Sequence, residues 1–206
     1  MFMLYLGAIG KAESVGIARI WETALGAGVA VAVAITLWPP DPLTEARQRL
    51  ARLRRWLAED LAALARLVRD PDPGAADAQL DVVRERSLRA VRDVFEVERG
   101  KGALRWNPRR RRDQEAFAAV DRRLNGVARQ YRHLRTITRI VADAAPSMPI
   151  PGPERARLGD ALDSLAASAA DGGPPRYSPI DPASLADPRA VGLALELGQM
   201  VEDLAV

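Results

Sequence analysis

A chain of 206 residues with 48% hydrophobic and 28% charged residues is neither a disordered tail nor, by composition alone, a many-span membrane protein. Aromatics make up only 5% and the apolar content is mostly Ala, Leu and Val, which favours helices over sheets. The net charge of +3 comes from arginine, since Lys11 and Lys101 are the only lysines, and the absence of cysteine excludes disulfide frameworks and thiol chemistry.

In chain order, the first apolar run is Met1 to Ile9. It is too short to span a bilayer and reads as the stump of a preceding membrane segment, so residues 1–19 are expected to be that stump and a loop. From Thr23 to Trp38 the sequence TALGAGVAVAVAITLW carries no charge. With Ile20, Trp21 and Glu22 it nearly reaches the ~20 residues that a hydrocarbon core requires, and this predicts a transmembrane helix over 20–38. Trp21 and Trp38 mark its ends as interfacial anchors, and Pro39-Pro40 stops it because neither proline can donate an N–H. A buried core helix is the competing reading, weakened because the stretch is apolar on every side. A cleaved signal peptide, suggested by Ala32-Val33-Ala34, is weakened by the twenty residues ahead of the apolar core. Arg47, Arg49, Arg52, Arg54 and Arg55 follow the span, against Lys11 and Arg19 before it, which places the C-terminal side in the cytoplasm of an inner membrane.

Residues 41–145 are expected to form long amphipathic helices. Asp41-Pro42 supplies a cap and a first-turn proline, and Leu43, Ala46, Leu50, Leu53, Leu57, Leu61, Leu64 and Val68 recur at steps of three and four to Asp70. A second helix is predicted from Asp77 to Arg99 with Leu80, Val83, Leu88, Val91 and Phe95 inward, ended by Gly100-Lys-Gly102. A third carries the heptad-like stripe Phe117, Val120, Leu124, Val127, Tyr131, Leu134, Thr138 and Val141 and ends near Ala144. Residues 146–206 are Pro/Gly-linked C-terminal helices. One runs from Glu154 to about Ala170 with Leu158, Leu162 and Leu165 inward. The last is capped by Asp187 and buries Leu193, Leu197, Met200 and Leu204. The fold class expected is all-α, one N-terminal transmembrane helix followed by an antiparallel helical bundle.

Among chemistry-bearing motifs, the basic run Arg105, Arg109, Arg110, Arg111 and Arg112 is expected in a loop before Asp113, which is the better helix cap. Anionic lipid is its nearest partner at ~1 kcal/mol per basic residue; a solvated loop obeying the positive-inside bias is as reasonable, and nucleic acid is the least favoured. Glu22 lies near the interface, where it could pair with Arg19 at i, i+3. Gly26 and Gly28 open a small-residue face that would suit close helix approach. No His/Asp/Glu set has metal-ligand spacing, no nucleotide-binding loop or nucleophile elbow occurs, and no cofactor or catalytic role is expected.

Arg19, Glu22, Thr23 and Gly26, followed by an apolar run ending in Pro39 and Pro40, resemble the last membrane helix of the fusaric acid resistance-like and aromatic acid exporter families. In those families such a span leads into a long arginine-rich helix, as Leu43 to Asp70 does here. The resemblance covers about Arg19 to Asp60. It implies the C-terminal portion of an exporter, with Arg19, Glu22, Thr23, Gly26, Pro39 and Pro40 as motif residues, from a truncated gene or a misplaced start codon. Because one helix cannot enclose a polar solute pathway, it further implies assembly or regulation rather than transport alone. Partners would be the bilayer and either copies of the chain or other membrane helices. The alternatives are a single-span, membrane-anchored helical interaction protein and, behind it, a nucleic-acid module using Arg105–Arg112.

Overall fold

The computed structural model describes residues 19–31, 41–106, 113–147, 149–173 and 177–205, with backbone alone at 103–106 and 203–205. Among them all regular structure is helical. Residues 1–41 and 42–206 form separate compact units. In the first, residues 19–31 are helical (α1) and exposed throughout. No helix of the described residues is long and apolar enough to cross a membrane. Of the predicted span, only 20–31 is described; 32–38, with Pro39 and Pro40 beyond, lies outside the described residues.

The second unit contains α2 (Pro42–Arg69), α3 (Pro73–Trp106), α4 (Gln114–Ala144), α5 (Gly152–Asp171), a 3-10 turn (Pro182–Ser184) and α6 (Pro188–Ala205). Cross-helix pairs fix their directions. Arg49 meets Asp93 and Asp60 meets Arg86, so α3 runs antiparallel to α2, as the short turn between them demands. Tyr131 meets Asp60 from α4, and α4 runs back alongside α2. Arg69 bridges Asp160 and Asp163 at 2.7 Å each while Arg54 reaches Gly172, which sets α5 antiparallel to α2. His133 and Glu196 together with Ile140 and Gly192 set α6 antiparallel to α4. Helices α5 and α6 therefore run in the same direction, and the chain between Asp171 and Pro188 returns from one end of the bundle to the other. Glu154 marks the return, accepting the Ala186 N–H at 3.2 Å beside the start of α5.

The α2 seam from Leu43 to Val68 is buried at all eight expected positions, as is the α4 stripe from Phe117 to Val141. So are Leu158, Leu162 and Leu165 on α5 and Leu193, Leu197 and Met200 on α6. The side chain of Leu204 lies outside the described residues. Asp187 accepts the Arg189 N–H at 2.8 Å and caps α6. Asp113 stands at the head of α4, but its side chain makes no cap hydrogen bond. Helix α5 ends at Gly172, whose φ of 67° suits glycine, and a Cβ there would land on the Arg54 guanidinium.

Helix α3 corrects three expectations. It starts at Pro73 rather than Asp77, because Asp72 accepts the Ala75 N–H at 3.1 Å and proline suits the first turn. It continues through Gly100-Lys-Gly102 to Trp106, which draws Arg105 out of the expected loop and into the helix. Each glycine costs ~1 kcal/mol in a helix, yet the helix continues through both. A side chain on Gly100 would meet Pro42 Cβ at 3.5 Å and Phe117 Cζ at 3.6 Å, and Lys101 bridges to Asp121 at 2.8 Å. The third correction is rotational. Val83 is buried and Leu80 half-buried, but Leu88, Val91 and Phe95 are 62%, 49% and 62% exposed. The buried stripe is instead Ala76, Val83, Ala90 and Val97, spaced by seven. These small side chains share their side of the helix with Gln79, Arg86 and Asp93, the groups that reach α2.

This rotation predicts opposite responses on one helix. Val83→Ala should destabilise by on the order of 1–3 kcal/mol, whereas Leu88→Ser should stay within roughly 0.5 kcal/mol of the unaltered chain. Urea unfolding followed by circular dichroism checks both.

Candidate functional site: a buried carboxylate node between three helices

Position 60 falls inside the α2 seam, between Leu57 and Leu64, yet carries a carboxylate that is only 2% exposed. Such a group must find partners or remain protonated. Arg86 Nη1 donates to Asp60 Oδ1 at 2.9 Å, Gln79 Nε2 donates to the same oxygen at 2.9 Å, and the Tyr131 hydroxyl approaches Oδ2 at 3.4 Å. Arg86 also donates to the Trp56 carbonyl at 3.2 Å and pairs with Glu59 at 3.1 Å. Burial pushes the Asp60 carboxyl above its ordinary value, opposed by the Arg86 charge and by the Gln79, Arg86 and Tyr131 hydrogen bonds. The same burial, with the Asp60 charge, pushes the Tyr131 hydroxyl up, so it remains a donor.

Beside this node, the guanidinium groups of Arg52, Arg86 and Arg89 lie 5.6, 5.4 and 5.8 Å from the Trp56 ring centroid, within cation–π range. About two turns of α3 beyond Arg86, toward Pro42, Asp93 accepts from Arg49 at 2.7 Å and Arg52 at 3.1 Å. Burial works against the charge on Arg49, but hydrogen bonds to Glu45, Asp93 and Glu96 outweigh it and raise its pKa. The donors on Asp60 come from α3 and α4, so the cluster ties three helices together at one buried carboxylate.

The residues singled out by sequence fall elsewhere. Arg19, Glu22, Thr23 and Gly26 share the first two turns of α1, all exposed. Thr23 Oγ1 donates to the Arg19 carbonyl at 2.8 Å, but no ion pair joins Arg19 to Glu22 among the described residues. A side chain at Gly26 would meet nothing within 4 Å. Arg105 is in the last turn of α3, while Arg109, Arg110, Arg111 and Arg112, like Pro39 and Pro40, lie outside the described residues. No group of metal-ligating side chains assembles among the described residues. The sequence signal for the Asp60 node is an acidic residue set among the leucines of the α2 seam. No family model, curated protein or solved structure matches this chain.

Two substitutions test the node. Arg86→Met leaves the Asp60 carboxylate without its cation, which costs ~3–5 kcal/mol for a buried pair broken on one side, and the loss should shrink on acidification as Asp60 takes up a proton. Asp60→Asn reads the raised pKa itself. A carboxyl held above its unfolded value contributes stability that is full below the unfolded pKa and is lost as pH rises through the folded pKa. The stability of Asp60→Asn relative to the unaltered chain should therefore increase from acidic to neutral pH. A difference that is flat with pH contradicts the raised value.

Proposed function

We propose that this chain is the terminal membrane span and cytoplasmic helical domain of an exporter-like membrane protein, serving assembly or regulation rather than transport by itself. The observation that carries the reading is the state of α1. Ile20, Trp21, Leu25, Val29 and Val31 are 70%, 69%, 69%, 56% and 57% exposed, and the sequence carries no charge from Thr23 to Trp38. Apolar surface left in water is unfavourable by roughly 25 cal/mol per Å², and lipid tails or neighbouring membrane helices would cover it. The open space beside Gly26 and Gly28 suits close approach of another such helix. Arg19 and Glu22, at the head of the segment, can remain hydrated at an interface. The exporter kinship itself rests on the resemblance of residues 19–60, and Arg105 and Arg109–Arg112 are read as contacts to anionic lipid. The reading involves no catalysis.

A second reading, a stand-alone anchored interaction protein, is favoured by the exposed apolar side of α3. Crosslinking in detergent separates the two, since a strictly monomeric chain speaks against recruitment of copies through that surface.

Carbonate extraction of membranes from cells expressing the full chain tests the primary reading. The chain should stay in the pellet, and Val29→Asp combined with Val31→Asp should release it, because a charge near the helix centre costs ~2.5–3.5 kcal/mol. Release of the unaltered chain refutes the membrane span.

A further inference from the structure

Helix α3 leaves a side uncovered, and its charge is unevenly distributed along the helix. In the first half the exposed side carries Asp77 and Asp81 with Arg84. From Leu88 onward the same side carries Leu88, Val91, Arg92, Phe95 and Arg99, against a single carboxylate, Glu98, which Lys101 approaches at 3.8 Å. The other nearby acids are engaged inward: Asp93 with Arg49 and Arg52, and Glu96 with Arg49. Arg92 and Arg99 meet no carboxylate among the described residues. They flank Phe95 at i−3 and i+4, the spacing at which long cationic side chains lie along an apolar ring and extend their heads beyond it.

We propose that this half of α3, Leu88–Val91–Phe95 with Arg92 and Arg99, docks on an anionic lipid surface. Two further observations select lipid over other occupants. The end of the bundle that holds Pro42, the first residue of α2, also holds Gly100 of α3 and Phe117 of α4. The cationic half of α3 is thus the half at the Pro42 end of the bundle. The sequence beyond that end is rich in arginine, with Arg105 in the last turn of α3 and Arg109, Arg110, Arg111 and Arg112 after it. Apolar side chains bordered by Arg92 and Arg99, which meet no carboxylate among the described residues, match an interface of phosphate headgroups over acyl chains. The proposal rests on the membrane reading above and adds a specific face to it.

The absence of native cysteine permits a direct test. Phe95→Cys and, as a control on the distal half of α3, Val82→Cys are labelled with an environment-sensitive fluorophore in the full chain. The labelled chain is reconstituted into vesicles of phosphatidylcholine alone or with added phosphatidylglycerol, and flotation is scored alongside. The label at 95 should shift to the blue and be quenched by nitroxide lipid in the anionic vesicles, with the label at 82 unaffected. Arg92→Gln and Arg99→Gln should each reduce the docked fraction roughly five-fold. A chain that floats with both vesicles while the label at 95 remains water-like overturns the docking face and leaves the span intact. A chain that floats with neither overturns the span, and the proposal with it. A blue shift in detergent that grows with protein concentration assigns the face to a second copy and overturns the lipid assignment.

Discussion

Asp60 on α2 and Asp93 on α3 are both buried, and a carboxylate removed from water costs several kcal/mol unless cations and hydrogen-bond donors meet it. Their partners lie across the α2–α3 seam: Arg86 and Gln79 for Asp60, Arg49 and Arg52 for Asp93. These pairs can form only if α3 presents its Gln79, Arg86 and Asp93 side to α2. Once that side is inward, Ala76, Val83, Ala90 and Val97 fill the gaps between the pairs, and the larger Leu88, Val91 and Phe95 must face outward. Buried ion pairs of this kind need not add net stability relative to apolar residues of the same volume. Their consequence here is geometric: they set the rotation of one helix and thereby decide what the molecule offers to a partner.

The sequence was most informative where one apolar stripe dominates its helix. The α2 and α4 seams and the leucines of α5 are the only apolar series of their helices long enough to bury, so period alone located them. Helix α3 has two competing apolar series, one small and one large. Side-chain size favours the large one, and only the position of Asp60 in the facing seam shows why the small one wins. Its ends also differ from those the sequence predicts. Pro71-Asp72-Pro73 contains the same Asp-Pro start as Asp41-Pro42, and Gly100 lies beside Pro42 and Phe117, which are distant in sequence. The motif residues Arg19, Glu22, Thr23 and Gly26 could be located on a helix from sequence, and they lie exposed on the first turns of α1.

The direction of each helix connects this rotation to the membrane reading. Since α3 is antiparallel to α2, its C-terminal half returns to the Pro42 end, bringing there the exposed Phe95 with Arg92 and Arg99, which meet no carboxylate among the described residues. Had α3 been wound as its larger side chains suggest, those residues would be consumed in the core and the bundle would present a polar side at that end. An exposed apolar series at one end of a domain that is otherwise well buried is the feature expected of a surface with a partner.

Thiol reactivity along α3 measures the rotation most directly. In the full chain held in mild detergent, single cysteines at positions 88, 90, 95 and 97 would be labelled with a water-soluble maleimide. The account predicts fast labelling at 88 and 95 and protection at 90 and 97. Protection at 88 and 95 with fast labelling at 90 and 97 would place the large side chains in the core and contradict it.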